Sequence, residues 1–214
     1  MLTVLTVLKS GGVYDATWVA RLKAGVERHL PERHRFICFS DVPVPCSHVY
    51  LEHNWPAWWS KIEALRYPGP ALYLDLDTLP VGDMTDIAVV AQANKFVMLR
   101  DFYSPHRCAS GVMAWRGSAP AQIYQTFARD PERSMLTPRD GIGDQAFIES
   151  LQGRDNITRW QDVLPAGQIV SYKADDCRRR GIPDNARLIC LHGVPKFTDM
   201  SVNDPVRRAW EMAA

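Results

Sequence analysis

Two aspartates one residue apart, Asp75 and Asp77, close the run Ala71-Leu72-Tyr73-Leu74-Asp75-Leu76-Asp77-Thr78-Leu79-Pro80. The run is otherwise apolar and reads as a strand buried on both faces, so carboxylates at its end need a reason. Residues two apart on an extended chain face the same side. Two like charges on one face repel unless a cation lies between them, and oxygen ligands favour a hard divalent ion such as Mn²⁺ or Mg²⁺. The carboxyl end of a parallel strand is also where open α/β sheets bind substrate. The plainer reading of Asp-x-Asp gives one carboxylate to capping the next turn and leaves the other in solvent.

Elements of two kinds must position this pair. Short apolar runs at 2–8, 36–39, 71–76, 96–99, 111–115 and 188–191 read as strands. Between them, 15–29 places Trp18, Leu22 and Val26 on one helical stripe, and Pro56 stands at the start of a second helix carrying Trp58, Ile62 and Leu65. Further helices are predicted over 119–128, from Gly143-Asp144 through Leu151, and from the N-cap Asp204 to near Met212. Strands alternating with helices predict an α/β fold, and the stretch 152–181 is expected to be irregular. No linker splits the chain, so residues 1–214 are expected to form a single domain.

Composition narrows the function classes. The chain has 214 residues, 46% of them hydrophobic and 23% charged, enough for one sizeable core. Lys and Arg number 25 against 24 Asp and Glu, so the overall field does not hold a polyanion. No apolar run approaches the roughly 20 residues of a membrane span, and no signal peptide is apparent. The five cysteines form no CxxC pair, which fits a reduced, cytoplasmic compartment.

Four motifs in order carry a resemblance. Trp59-Ser60-Lys61-Ile62, Tyr73-Leu74-Asp75-Leu76-Asp77, Ala109-Ser110-Gly111-Val112-Met113 with Gly143-Asp144-Gln145-Ala146, and Leu191-His192-Gly193-Val194-Pro195-Lys196 resemble the GT-A nucleotide-sugar glycosyltransferases. Within them they are most similar to the glycosyltransferase family 8 branch of glycogenin and related galactosyltransferases. The resemblance implies the GT-A, Rossmann-like nucleotide-diphospho-sugar transferase fold, with a mixed, mostly parallel central sheet. One departure is that Cys108-Ala109 precede Ser110 where the family has an Asn, which removes an amide expected at the donor sugar.

The implied chemistry is transfer of a sugar from a nucleotide diphosphate-sugar, a UDP-sugar by the resemblance, to a hydroxyl acceptor. Asp75 and Asp77 would hold Mn²⁺ or Mg²⁺, with His192 as a neutral imidazole ligand from the last strand. Lys61 and Lys196 would meet phosphate or sugar, and Gly193 allows close backbone approach. The family places Ser110 and Gly111 at the donor and Asp144 and Gln145 at the donor sugar or reaction centre. Thr6, Tyr14 and Asp41 lie where such folds hold base and ribose. Trp55, Trp58 and Trp59 are a candidate acceptor platform. The acceptor is a glycan, a protein side chain or, as a minority reading, a hydroxymethylated base of phage DNA contacted by Arg100, Phe102, Tyr103, His106 and Arg107. Two other classes share the features: a metal-dependent phosphohydrolase or nucleotidyltransferase, and a non-catalytic nucleotide-sugar binding module.

Overall fold

The computed structural model describes residues 1–213. Strand β1 (Leu2–Leu8) is buried at every position because the sheet is covered on both faces. Leu2, Val4 and Leu8 enter one core and Leu5 and Val7 the other, the period of two expected of an extended chain. Helix α1 (Ala16–His29) begins at Asp15, whose carboxylate accepts the N–H groups of Thr17 and Trp18. It buries Trp18, Leu22 and Val26, the predicted stripe. β2 (His34–Ser40) and the edge strand β3 (Ser47–Tyr50) follow in parallel.

After Pro56 the chain takes ten residues of 3-10 turns, Ala57–Arg66, where the sequence predicted an α-helix. Seven of them, Trp59 to Leu65, are buried. The buried Glu63 carboxylate accepts the N–H groups of Glu52 and His53, both at 2.9 Å, which ties the segment to the chain leading into it. β4 (Ala71–Leu74) then pairs in parallel with β1, and β5 (Thr78–Pro80) leaves the main sheet.

α2 (Thr85–Ala93) leads into β6 (Phe96–Arg100) and β7 (Cys108–Trp115). Next come α3 (Ala121–Arg129), α4 (Pro131–Leu136), α5 (Gly143–Gln152), β8 (Thr158–Arg159), α6 (Trp160–Val163), β9 (Ile169–Ser171), α7 (Cys177–Arg180), β10 (Leu188–Cys190) and α8 (Pro205–Glu211). The seven-stranded sheet runs β3-β2-β1-β4-β7-β6-β8. Only β7 runs antiparallel to its neighbours; the sheet is therefore mixed and mostly parallel, as expected. A second sheet, β5-β10-β9, buries Leu79, Ile189 and Val170 in the same core as Leu2, Val4 and Leu8 of β1.

The reversal of β7 matters for the site. Its first residues, Cys108 to Gly111, meet the carboxyl end of β4, and Gly111 O accepts the N–H of Asp75 at 2.8 Å. Asp75 and Asp77 themselves are not on a strand. Thr78 N–H donates back to Asp75 O at 3.0 Å, so the pair sits on a turn between β4 and β5, and the expectation of a shared strand face is corrected. The stretch expected to be irregular contains five short regular elements, a 3-10 turn at Arg154–Asn156 and β8, α6, β9 and α7. α8 starts at Asp204 as predicted, its carboxylate accepting Val206 N–H at 2.9 Å. Trp18, Phe197 and Trp210 pack together with centroids 4.8 to 5.5 Å apart, anchoring the segment that follows His192 against α1.

Candidate functional site

The carboxyl ends of β1, β4, β6 and β10 and the start of β7 open into one cavity of about 760 Å³, in the range of small-molecule sites. Two charge clusters form its floor. In the first, Lys61 Nζ lies 2.9 Å from Asp75, 3.3 Å from Asp144 and 3.1 Å from Ser110 Oγ. Ser110 Oγ in turn donates to Asp144, and Tyr73 OH donates to Asp75 at 2.7 Å. In the second, Asp77 Oδ2 accepts Tyr14 OH at 2.9 Å and the Lys196 ammonium, while Oδ1 has no hydrogen-bond partner among the described residues.

Electrostatics follow from burial and partners. Burial alone would lower the Lys61 pKa, but Asp144 and then Asp75 outweigh it and raise it, so the ammonium stays charged. Burial raises the Asp75 carboxyl, against the pull of Lys61. Tyr14 is raised by burial and then by Asp77, and stays a phenol that donates. Burial lowers His192, leaving a neutral imidazole at physiological pH. Its Nε2 is 3.1 Å from Ser171 Oγ, and its ring packs against Phe102 and Tyr103, 5.0 and 6.2 Å between centroids.

Asp75, Asp77 and His192 all line this cavity, and two carboxylates with a neutral imidazole suit a hard divalent ion. The floor sets three carboxylates against two ammonium groups, so it has negative charge in excess, and Asp77 Oδ1 is free to take a ligand. Among the described residues, however, no three such side chains already stand together as a ligand group. The residues fit the ion in chemistry and would have to gather around it.

Tyr14, Lys61, Ser110, Gly111, Asp144, Gln145, Gly193 and Lys196 line the same cavity. Thr6 and Asp41 do not. Thr6 is fully buried, its Oγ1 without a partner. Asp41 is engaged by the Lys9 ammonium and by Ser10 N–H and Oγ, the latter two at 2.8 Å. Asp144 lies inside the first turn of α5, with Ile142 at the cap position, and its carboxylate serves Ser110 and Lys61. A Cβ at Gly111 would meet Asp75 Oδ2 at 3.5 Å, an ordinary contact, so what ties this residue to the site is its carbonyl, which accepts the Asp75 N–H.

Sequence reasoning missed Tyr73 as a site residue, and it placed Phe102 and Tyr103 in an acceptor-contacting stretch rather than beside His192. A near-continuous apolar run marks Tyr73 as core, and nothing in the sequence shows that the loop after β6 folds onto His192. Asp101 also reaches the cavity but caps its own turn, accepting Tyr103 and Ser104 N–H at 2.8 Å. The two arginines of that stretch are engaged: Arg100 pairs with Asp162 and Arg107 with Asp140.

No protein-family model and no curated protein sequence matches this chain. Solved structures do. The glycosyltransferase GlyE of Streptococcus pneumoniae TIGR4 superposes on 100% of the chain with a TM-score of 0.73 at 14% identity. The fold is that of GT-A glycosyltransferases. A galactosyltransferase, LgtC, solved with donor and acceptor sugar analogues, gives a TM-score of 0.64 at 11% identity over 99% of this chain and 95% of its own. The bifunctional glycosyltransferase WbbM gives 0.59 at 11% identity over 99% of this chain. This chain spans 60% of the GlyE chain and 51% of that of WbbM. No helix among the described residues is long and apolar enough to cross a membrane.

Proposed function

We propose that the protein is a metal-dependent glycosyltransferase that moves a sugar from a UDP-sugar to a hydroxyl acceptor. The observation that carries this is the pair of charge clusters at the strand ends of one cavity. Asp77 with Lys196 and His192 suits a diphosphate, and Lys61 with Asp75, Ser110 and Asp144 suits the hydroxyls of a sugar. The shared fold with glycosyltransferases supports it.

In the reaction, the acceptor oxygen bonds to the anomeric carbon as that carbon's bond to the diphosphate oxygen breaks. The electron pair leaves with the diphosphate, and the acceptor proton is released. A divalent cation held by Asp75, Asp77 and His192 would supply Lewis-acid stabilisation of the leaving diphosphate. Lys196 exchanges Asp77 for a phosphate oxygen and neutralises charge as the bond breaks. Lys61 holds Asp75 and Asp144 in fixed positions, so that Asp144 can accept from a sugar hydroxyl. Gln145, exposed to the cavity at the start of α5, offers an amide to the sugar or the reacting centre. Tyr14 covers the diphosphate end and limits water.

Thermal denaturation with a panel of nucleotide-sugars, with and without Mn²⁺, tests this. A UDP-sugar at about 100 times its Kd stabilises by about 2.7 kcal/mol, or about 5–10 °C for a chain of this size. Asp77→Asn is expected to abolish the Mn²⁺-dependent part. A panel in which no nucleotide moves the transition would overturn the assignment.

A further inference from the structure

Six of the seven tryptophans are buried, and Trp58 alone is 55% exposed. The backbone before it is strained: Ala57 has φ +47°, a region alanine enters only when its surroundings impose it. The indole lies across Gly143, itself at φ +66°, where a Cβ would fall 2.8 Å from Trp58 Nε1 and 3.2 Å from Cδ1. Gly143 is followed by Asp144 and Gln145. A half-exposed ring is thus fixed over the start of α5 by strain on one side and a missing Cβ on the other, an arrangement that core packing does not require. The indole N–H groups of Trp115 and Trp160 donate to backbone carbonyls; that of Trp58 has no protein acceptor among the described residues. Ile142 and Tyr103, 77% and 61% exposed, line the same mouth.

We propose that the Trp58 indole is the stacking face of an acceptor subsite for a pyranose sugar. The ring's C–H face lies on the indole and a hydroxyl accepts from Nε1–H, which uses both the apolar body and the polar edge of tryptophan. The place in the cavity favours an acceptor over the donor's base. Trp58 borders the Lys61–Asp144–Ser110 cluster, whereas the loop after β1 and Tyr14 border Asp77 at the other. This inference rests on the proposed transferase reading, because it takes the Lys61 end to be the sugar end. Trp55 and Trp59, grouped with Trp58 by sequence, are 7% and 8% exposed and pack on Phe127; the platform is one ring.

The test uses protein labelled with 5-fluorotryptophan, in which loss of a fluorine resonance in Trp58→Phe identifies the Trp58 signal. Methyl glucoside, methyl galactoside and methyl mannoside are titrated with UDP and Mn²⁺ present, and UDP with Mn²⁺ is titrated separately. At least one glycoside is expected to shift the Trp58 signal saturably while the buried tryptophans stay put. No shift at the solubility limit of all three, or an equal shift of every tryptophan, overturns the proposal. With the active glycoside as acceptor, Trp58→Ala is expected to raise the glycoside KM about tenfold, which is about 1.4 kcal/mol, and Trp58→Phe to restore most of it. Equal rises in the glycoside and UDP-sugar KM would also overturn it. UDP that leaves the spectrum unchanged refutes the transferase reading instead, and a glycoside shift at Trp58 alone would still support the stacking site.

Discussion

Lys61→Met keeps the stem of the side chain and removes its charge from between Asp75 and Asp144. At an effective dielectric of about 20, charges 3.3 Å apart attract by about 5 kcal/mol. The Asp144 side chain is 8% exposed and that of Asp75 30%, so solvent screens the second pair more and the Asp144 half dominates. An abandoned carboxylate can escape by taking up a proton; from an ordinary value of about 3.9 to about pH 7.5 this also costs about 5 kcal/mol. Both routes agree with the range of about 3–5 kcal/mol for breaking a buried ion pair. The transition temperature should fall by about 6–20 °C. Urea unfolding of wild type, Lys61→Met, Asp144→Asn and the double variant reads this directly, with a coupling of about 1–3 kcal/mol expected. A loss below about 1 kcal/mol at unchanged denaturant slope, or a coupling near zero, would show that Lys61 is solvated and that its position between the carboxylates stabilises nothing.

Burial would raise Asp41, but the Lys9 ammonium and the Ser10 N–H and hydroxyl outweigh it and hold the carboxyl at about 2. A folded value below the unfolded one gives stability that is present above about pH 4 and lost as pH falls through about 2. Asp41→Asn is therefore expected to be less stable by about 1–2 kcal/mol near neutrality, the gap closing between about pH 4 and pH 2. A gap constant across that range in acid unfolding would refute the pairing. Gly143→Ala places a Cβ against the Trp58 indole at a positive φ and is expected to cost about 1–3 kcal/mol in urea unfolding; a cost near zero would show that the turn relaxes freely.

What could be read from the chain depended on how local the cause was. β1, β4 and the α1 stripe were legible because their burial is written as periodicity in consecutive residues. Asp204 was legible as a cap because the side chain acts two residues ahead. The turn at Asp75-Leu76-Asp77 was not, because the N–H of Asp75 is taken by Gly111 of β7, a partner 36 residues on. The 3-10 winding after Pro56 follows from the positive φ at Ala57 and from Glu63 bonding back to Glu52 and His53, neither visible in a helical pattern. In the site, the motif residues from Lys61 to Lys196 converge, whereas Thr6 and Asp41 have tertiary positions that fold-level analogy did not resolve. Tyr73 stands in the motif only as a strand residue, while Phe102 and Tyr103 lie outside the motifs and only the folded loop brings them to His192.

The contact between Lys196 and Asp77 joins residues 119 apart and, with Lys61 on Asp75, means that the resting cavity supplies its own counter-ions. An arriving anion does not neutralise a bare positive surface; it swaps partners with a carboxylate already in place. Association then works as ion exchange, in which few salt ions are released to bulk, and affinity should vary only gently with ionic strength. Selectivity among anions would be set by which of them can offer Lys196 a better oxygen than Asp77 does while giving the freed carboxylate a cation of its own.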